Sequence, residues 1–424
     1  MRDKLFPGLA ICLVLAGAGA GAQTLRIGLV RQFKSVQHVT VSSTAALRIA
    51  DSSGGAVTTF PEERITLSAD GRVVALARAD GAPSPAGYKV EMTSASPNAL
   101  ITISTPDLSP ARYRGKIEAY RADRGLLLVN VVDVEDYLRG VLPSEMPPSF
   151  QPEALKAQAV AARTFAWANR GRHAKLGYDL CDSTDCQVYP GAAAENTATS
   201  EAVKETSGLV ATYKGKLISA QYCSDCGGAT GDGGVPYLAP VPDRPDDGAP
   251  DYCDHDGHCW TRSWPLADFA KLAQKRFPTL GGLRSVSVAE ASDLGRVRTV
   301  KLEADKGAAA IAAAELRRLL GPTVVKSTVF TVKVEDGNVI FEGKGFGHGI
   351  GLCQFGANAL ASPPHNQTFD QILKHYYKGI EVAPLSGLKS PLPRPSDRQG
   401  TSQTRDRTLA EADHLPCGCS PMLA

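Results

Sequence analysis

Charge of one sign is not concentrated anywhere in this sequence of 424 residues. The 46 lysines and arginines nearly balance the 44 acidic residues, which leaves a net charge of +2, and no extended basic block occurs. A nucleic-acid-binding protein normally carries a basic patch that complements the phosphate backbone. The sequence therefore gives no indication of a nucleic-acid partner.

Long apolar segments are also missing after the first 22 residues, which read MRDKLFPGLAICLVLAGAGAGA. Arg2 and Lys4 precede an apolar run that ends in small residues, an order typical of a cleaved secretory signal peptide. An uncleaved anchor, the alternative, is less consistent with so short a run rich in Gly and Ala. We therefore expect residues 1–22 to be a signal peptide and the mature protein to be exported, to the periplasm or the cell surface, without a membrane span.

No internal repeat is evident, and the first hundred residues of the mature chain have the pattern of a β-rich region. From residue 23 to about 124, short runs with period-two alternation are separated by Gly, Asp, Asn and Pro, as in small strands and hairpins. The runs are LRIGLV, HVTVSS, ALRIADSSGG, RITLSADGRVVALA and NALITIST. The more continuously apolar run Gly125–Val134 predicts a strand covered on both faces.

The helical patterns lie after this run. In the clearest one, Pro152 suits the first helical position, and a stripe of mostly small residues follows at Leu155, Ala159, Ala162 and Ala166. Its small side chains favour close contact with a neighbouring element.

Two further helices are predicted, at Ala308–Leu320 and at FDQILKHYY, ended by Gly321-Pro322 and by Gly379. Between them, VFTVKVEDGNVIFEG predicts a hairpin with Asp336-Gly337 at the turn. From residue 386 onward the chain is polar and Pro-rich, which predicts a disordered tail. The predicted fold class is α+β: a β-rich region at 23–124, an α/β region at 125–385, and the tail at 386–424.

A single glutamate stands between the apolar run and the first helix, in the stretch GVLPSEM, Gly140–Met146. We expect a turn here. A carboxylate at such a turn either forms hydrogen bonds with a structural role or has a functional role. The structural explanation is a capping box, in which Ser144 or Glu145 bonds main-chain N–H groups at a helix start. However, Pro147 and Pro148 follow at once and lack the N–H groups that such a cap would serve. Glu145 is therefore a candidate catalytic residue.

Six glycines surround His348 in GKGFGHGIGLCQFGA, Gly343–Ala357. Main chain without side chains can approach a ligand closely, but a phosphate-binding P-loop would also need a lysine–serine pair at a helix start. The same glycines would suit a close crossing of two packed elements with His348 in the core. The pattern leaves both interpretations of His348 open.

Nine cysteines remain after the predicted signal peptide, and most of them lie in close pairs. In an oxidising compartment such pairs favour local disulfides. Cys181 and Cys186 can close a small disulfide loop, or they can bind zinc together with His173. For Cys253 and Cys259, the spacing and the export favour a disulfide over a metal site.

The two other cysteine patterns give no clear chemistry. Cys223 and Cys226 form a C-x-x-C pair, but the Gly-Gly-Ala-Thr that follows does not predict the helix of a thioredoxin-like redox site. Cys353 is isolated, and because the total is odd we expect it to be the remaining thiol.

Together these motifs resemble the SpoIID/LytB family, the stage II sporulation protein D type of peptidoglycan-cleaving enzyme. The resemblance covers about residues 125–380. It rests on eight blocks in the expected order: VNVVDVEDYLRGVLPSEMP, EALKAQAVAARTFA, YDLCDSTDCQVYPG, SDCGGAT, PYLAPV, ELRRLLG, GKGFGHGIGLCQFGA and ILKHYY. Eight ordered blocks are far more specific than any single motif.

The resemblance implies that Glu145 is the acid/base of a lytic transglycosylase, which cleaves the bond between N-acetylmuramic acid and N-acetylglucosamine and leaves a 1,6-anhydro ring. It implies glycan strands freed of their peptides as substrate and a cell-wall amidase as partner. It also implies substrate-positioning roles for six further residues: His348, Gln354, Gln158, Arg163, Ser224 and Thr230. The alternative within the family is a non-catalytic amidase enhancer or cell-wall-binding module.

The resemblance also bears on zinc and on the pKa of the acid. Some relatives bind zinc through two histidines and two cysteines; His173, Cys181 and Cys186 match three of these, and Asp185 stands where the second histidine is expected. A structural zinc and a Cys181–Cys186 disulfide remain alternatives, and the predicted reaction itself requires no cofactor. The acid must be protonated near neutral pH, so we expect burial to raise the pKa of Glu145.

Overall fold

The computed structural model describes residues 23–51, 58–60, 64–78, 81, 84–245 and 248–388. The predicted signal peptide and residues 389–424 of the predicted tail lie outside these described residues. Within them the chain forms seven α-helices and 24 β-strands, which confirms the predicted α+β class.

The first twelve strands all precede the first helix, as the alternating pattern predicts. They are β1 (Thr24–Gly28), β2 (His38–Ser43), β3 (Leu47–Asp51), β4 (Thr58–Phe60), β5 (Ile65–Asp70), β6 (Val73–Arg78), β7 (Ser84–Pro85), β8 (Lys89–Ser94), β9 (Ile101–Thr105), β10 (Leu108–Tyr113), β11 (Lys116–Ala122) and β12 (Gly125–Asp133).

The rest of the chain mixes helices with shorter strands. In chain order these are α1 (Val134–Glu145), α2 (Pro152–Ala168), β13 (Leu180–Cys181), α3 (Thr197–Glu205), β14 (Leu209–Tyr213), β15 (Lys216–Leu217), β16 (Tyr222–Cys223), β17 (Cys259–Pro265), α4 (Leu266–Arg276), β18 (Leu283–Ala291), β19 (Val297–Ala304), β20 (Gly307–Ala312), α5 (Ala313–Leu320), β21 (Val329–Glu335), β22 (Asn338–Lys344), β23 (Leu352–Cys353), α6 (Gln354–Ala361), α7 (Phe369–Tyr376) and β24 (Glu381–Pro384). None of the described helices is long and apolar enough to cross a membrane.

Two sheets and the helices around them share one hydrophobic core. The larger sheet has the order β13–β1–β12–β11–β8–β3–β4, and the second has the order β10–β9–β2–β5–β6–β7. Strand β12 pairs antiparallel with both β1 and β11 and is mostly buried. Its continuously apolar sequence therefore reflects burial of the strand, as predicted. The core runs from Leu25 to Leu385 and so includes side chains from both predicted regions, 23–124 and 125–385, whose boundary stays a prediction.

A second core is built from residues 259–344. The sheet β17–β22–β21 and the meander β18–β19–β20 enclose it with α4 and α5 around apolar side chains such as Phe341. The predicted hairpin turn at Asp336-Gly337 is confirmed, since both residues have positive φ angles as a tight hairpin requires. The helix predicted from Ala308 is wrong in its first part, because Gly307–Ala312 pairs with β19. This pairing overrides the helix preference of alanine.

The stretch Gly140–Met146 is the end of helix α1 and does not form the predicted turn. Asp133 begins the helix by accepting the Glu135 N–H at 2.9 Å, and the helix continues through Pro143 to Glu145. An apolar face with helical spacing drives this, and its buried members include Val134, Tyr137, Leu138, Val141 and Leu142. The helix thus carries Glu145 to its C-terminal end.

Helix α2 begins at Pro152, as predicted, and is buried on almost every side. Its Arg163 is fully buried and forms a two-bond ion pair with Glu135 on α1, at 2.9 and 2.6 Å. The same guanidinium donates to the main-chain oxygens of Val203 and Leu209. Arg163 therefore holds α1, α2, α3 and β14 together.

Replacing Glu135 should destabilise the fold strongly. In Glu135→Ala the Arg163 guanidinium stays buried without its counter-charge, which typically costs about 3–5 kcal/mol. Chemical denaturation of the two proteins measures this loss in the free energy of unfolding. Glu201→Ala, which removes an exposed ion pair with Lys204, is the control and should cost less than about 1 kcal/mol. Equal losses in both variants would contradict the structural role of Arg163.

Candidate functional site

The carboxyl group of Glu145 is buried and is bonded by uncharged groups. Its side chain is 7% exposed. It accepts hydrogen bonds from the Tyr222 hydroxyl, the Val188 main-chain N–H and the Gln354 side chain. Burial raises the pKa of Glu145 to about 7, although the three hydrogen bonds act in the opposite direction. The position at a helix C-terminus disfavours a negative charge as well.

A second buried glutamate shows what makes Glu145 different. Glu118 on β11 is even less exposed, but Arg26, Lys89 and Lys116 lie 2.7, 2.9 and 3.4 Å from its carboxylate. Burial raises the pKa of Glu118, but the Tyr120 and Lys89 hydrogen bonds and the Arg26 charge outweigh it and bring the pKa down to about 2. Glu118 is therefore a structural anion, whereas Glu145 can exchange a proton near neutral pH.

A hydrogen-bond chain fixes the direction of the Tyr222 hydroxyl. Gln187 Nε2 donates to the Tyr222 oxygen at 3.0 Å, and Gln187 Oε1 accepts from Tyr137 at 3.2 Å. The Tyr222 hydroxyl thus accepts from Gln187 and donates its own proton to Glu145. Tyr222 and Val188 were not predicted from the sequence. Val188 lies within the family block YDLCDSTDCQVYPG, and Tyr222 lies two residues before the block SDCGGAT. Their places in or next to these blocks were the features that could have indicated them.

The glycine-rich segment brings Gln354 to Glu145. Strand β23 runs parallel to β16, with Tyr222 opposite Leu352 and Cys223 opposite Cys353, and Gln354 begins α6 directly afterwards. Gly351 has a φ of 75°, and a Cβ there would clash with the Gln221 carbonyl. The close crossing of packed elements is therefore one reason for the glycines.

His348 lies on the other side of the same segment. It is half-buried, and its Nδ1 accepts the Ile350 N–H at 3.0 Å. Burial, together with the charges of Arg317 and Arg296, lowers the pKa of His348 to about 4, so the ring is neutral at neutral pH. His348 and Thr230 line a common cavity of about 540 Å³ between the two cores, and Glu145 is not part of its lining.

The other predicted substrate-positioning residues differ in what they contact. The Ser224 carbonyl accepts the Phe355 N–H at 3.1 Å, next to Gln354. Gln158 is fully buried, and its amide atoms have no hydrogen-bond partner among the described residues. The prediction for Arg163 is wrong, because both sides of its guanidinium are occupied by Glu135 and main-chain oxygens.

The predicted zinc ligands come together in a group that we call the histidine cluster: His173, Cys181, Asp185 and Cys186. Their ligand atoms all lie within 4.8 Å of one another. His173 Nε2 is 3.3 Å from both Cys186 Sγ and Asp185 Oδ2. Around a tetrahedral zinc, such ligand atoms lie roughly 3.3–3.8 Å apart, as follows from bond lengths of about 2.0–2.3 Å. The residues therefore fit a zinc ion, Asp185 included.

The pKa values in the histidine cluster show which protons a zinc ion would displace. Hydrogen bonds from Cys186 and His173 lower the pKa of Cys181 to about 4, which favours the thiolate that metal binding requires. Asp185 and then Cys181 raise the pKa of His173 to about 9, so the imidazole holds a proton that zinc binding would displace. The two thiols are not bonded to each other.

The predicted disulfides are not formed among the described residues, where all seven cysteines are free thiols. Cys259 is exposed at the start of β17 and pairs with Lys344 on β22. Cys253, in contrast, is fully buried, with its sulfur 3.8 Å from that of Cys226. The prediction of a Cys253–Cys259 bond is wrong because the two side chains face different environments.

Two family profiles match the chain. One, described as stage II sporulation protein, matches residues 122–213, which include Glu145 and the histidine cluster. The other, described as a domain of unknown function (DUF8618), matches residues 250–351 and so covers the second core.

Similar proteins extend these matches over most of the chain. An uncharacterized protein of Brachyspira hyodysenteriae is 33% identical over 289 residues, which are 65% of this chain and 73% of that protein. Stage II sporulation protein D of Bacillus amyloliquefaciens is 32% identical over 284 residues, 62% of this chain and 77% of that protein. The amidase enhancer of Bacillus subtilis is 34% identical over 290 residues, but the match spans only 40% of its length. With this similarity along the chain, the protein belongs to the stage II sporulation protein D (SpoIID/LytB) family.

Proposed function

We propose that this protein is an exported lytic transglycosylase of peptidoglycan in which Glu145 acts first as an acid and then as a base. The observation that carries the proposal is the burial of the Glu145 carboxyl group among uncharged hydrogen-bond donors, which raises its pKa to about 7. A carboxyl group with this pKa is protonated in a large fraction of molecules at neutral pH and can still ionise during the reaction. Membership of the family supports a role in cell-wall processing.

The proposed reaction needs one carboxyl group. Protonated Glu145 donates its proton to the glycosidic oxygen between N-acetylmuramic acid and N-acetylglucosamine, and the bond from C1 to that oxygen breaks. The Glu145 carboxylate then takes the proton of the C6 hydroxyl, and O6 bonds to C1 to close the 1,6-anhydro ring. Glu145 ends protonated and no water is consumed, unlike in hydrolases that use two carboxylates.

The three donors around Glu145 suit both steps. Uncharged donors do not prevent protonation as lysine or arginine would, as the comparison with Glu118 illustrates. They still stabilise the carboxylate while it exists. Tyr222 lies on β16, and Gln354 directly follows its partner strand β23, so the carboxyl group is held in a fixed direction.

We further propose that glycan strands pass from Glu145 toward His348. The neutral imidazole and the hydroxyl of Thr230 line a cavity that can hydrogen bond sugar hydroxyls. Removal of peptides from the strand by a cell-wall amidase would precede the reaction, which makes an amidase a partner in this proposal.

A zinc ion in the histidine cluster would have a structural role in this proposal. It would tie Cys181 on β13 to Cys186, two residues before Val188, and would thereby fix the N–H group that bonds Glu145. The chemistry it supplies is a cross-link of the loop; the proton transfers belong to Glu145.

Substitution of Glu145 is the direct test. On peptide-free glycan strands the wild-type protein should release products lighter by one water than hydrolysis products, as measured by mass spectrometry. Glu145→Gln lacks the transferable proton, so these products should be absent. Glu201→Gln, an exposed position on α3, is the matched control and should behave as the wild type.

Intact strands with every variant would contradict the enzymatic proposal. If the folded protein then still bound glycan and stimulated an amidase, the amidase-enhancer alternative would replace it, which the similarity to the Bacillus subtilis protein favours. Hydrolysed products without an anhydro ring would contradict the proposed chemistry.

The pH dependence should follow the protonation of Glu145. Because the free enzyme needs the acid form, kcat/KM should be level at pH values below about 7 and should fall by about tenfold per pH unit above it. Tyr222→Phe removes a hydrogen bond that lowers this pKa, so the falling limb should move to higher pH. A limb at the same pH in both proteins would show that another group titrates.

Glu145 should also lower the stability of the fold as the pH rises from 4.5 to 7. Its folded pKa of about 7 lies above the ordinary value of 4.5, so the cost of ionisation is absent below pH 4.5, grows up to pH 7 and is constant above. Glu145→Gln avoids this cost. From pH 4.5 to pH 8, the free energy of unfolding of Glu145→Gln should therefore rise by about 3 kcal/mol relative to that of the wild type. Chemical denaturation at both pH values measures the difference. A difference that does not change with pH would contradict the raised pKa.

A further inference from the structure

We propose that Cys226, Asp243, Cys253 and Cys353 form a second metal site, suited to zinc. We call this group the thiol cluster. The three sulfurs and a carboxylate oxygen lie within 4.8 Å of one another, and all four residues are fully buried. Three thiols and a carboxylate from four distant positions in the sequence meet here, outside the histidine cluster.

The distances match a tetrahedral site. The sulfurs of Cys226 and Cys253 are 3.8 Å apart, and two sulfurs bound to one zinc at about 2.3 Å lie roughly 3.8 Å apart. Asp243 Oδ2 is 3.1 Å from Cys226 Sγ, close to the roughly 3.5 Å between a sulfur and an oxygen on the same ion. Four protein ligands leave no open position, so the site is of the structural type.

A disulfide explains this arrangement less well. A bond between Cys226 and Cys253 would need their sulfurs at about 2.05 Å and would leave Cys353 as a buried third thiol. It would also leave the Asp243 carboxylate buried beside apolar sulfur atoms. A divalent cation uses all four groups and gives the same net charge as the common four-cysteine zinc sites.

The surroundings of the thiol cluster resemble those of bound thiolates. The Cys226 N–H donates to Cys353 Sγ at 3.2 Å, and the Gly228 N–H donates to Cys253 Sγ at 3.3 Å. The oxygen of Asp243 that faces away from the sulfurs, Oδ1, accepts from the Tyr376 hydroxyl at 2.7 Å. Such outer hydrogen bonds orient metal ligands and offset their charge. Each of these donors is placed before any metal binds.

A neighbouring group shares one ligand but is less suitable. Asp225 and His258 also lie within reach of Cys253. However, Asp225 Oδ2 already bonds His258 Nδ1 at 2.8 Å and His255 Nε2 at 3.2 Å. Among the described residues this group brings three ligands together, two of them already paired with each other, whereas the thiol cluster brings four together, so we assign the metal to the thiol cluster.

The thiol cluster is close to two of the donors of Glu145 along the chain. Cys353 precedes Gln354, and Cys353 pairs with Cys223, the neighbour of Tyr222. A metal bound to Cys353 and Cys226 would cross-link the end of β23 to the loop after β16. It would therefore fix the two side chains that hold the Glu145 carboxyl group.

Metal content of the full-length protein tests the proposal. To separate the two clusters, the measurement uses Cys181→Ser/Cys186→Ser, in which the histidine cluster cannot bind zinc. After exposure to zinc and removal of excess metal, this variant should retain one equivalent, and adding Cys353→Ser should abolish it. In the variant with an intact thiol cluster, cobalt should give the visible absorption of a tetrahedral thiolate site.

His258→Gln in the same background is the matched control and should keep one equivalent. Loss of the metal in this control, with retention in the Cys353→Ser protein, would assign the site to Asp225 and His258 and overturn the proposal. Absence of bound metal in the folded Cys181→Ser/Cys186→Ser variant would also overturn it.

Thiol alkylation of the wild-type protein covers the case in which the variants do not fold. Cys226, Cys253 and Cys353 should be unreactive with zinc present and should react together once a chelator removes it. The exposed Cys259 should react in both states and so reports on the reagent. A mass lower by two hydrogens, with Cys226 linked to Cys253 in a peptide map, would establish the disulfide and refute the metal site.

Discussion

The site depends on one constraint: a buried carboxyl group that only uncharged groups contact through hydrogen bonds. In water a glutamate ionises well below neutral pH, and in most protein interiors a cation completes the pair, as around Glu118. Glu145 has burial without such a cation, and this combination brings its pKa to about 7. The rest of the described architecture holds the three donors in place and places no cation at the Glu145 carboxyl group.

Those donors come from three separate segments, so the site requires the whole fold. Helix α1 presents the carboxyl group. The loop after β13 supplies the Val188 N–H, β16 supplies Tyr222, and the start of α6 supplies Gln354. The histidine cluster includes Cys181 and Cys186, on the segment that carries Val188. The thiol cluster includes Cys226 and Cys353, next to the segments that carry Tyr222 and Gln354. Metal ions at both places would fix the donors, and a small displacement of a donor changes the pKa of Glu145.

The sequence was sufficient to predict the β-rich start, the strand before α1, helix α2, the hairpin at Asp336-Gly337 and the raised pKa of Glu145, because each has a local pattern or a recognisable motif. It did not predict that Gly140–Glu145 is helical, since Pro143 and the prolines after Met146 suggest a turn. Arg163 stood in a recognised block, but its role as the partner of Glu135 depends on packing between helices. Tyr222, Val188 and the thiol cluster arise from contacts between distant segments, which spacing along the chain does not encode.

The second core acts on the site although it contains no part of the Glu145 carboxyl environment. Its strands β17–β22 are inserted between β16 and β23, which still pair directly. Arg296 of this insertion donates to the main-chain oxygens of Cys226 and Ala229, at 2.5 and 2.8 Å, and its charge helps to keep His348 neutral. The insertion therefore stabilises the loop that carries Cys226 and sets the protonation of the imidazole in the adjoining cavity. A neutral imidazole whose Nδ1 accepts a main-chain N–H has its proton on Nε2. By keeping His348 neutral, the insertion therefore leaves the ring with one N–H donor, at Nε2.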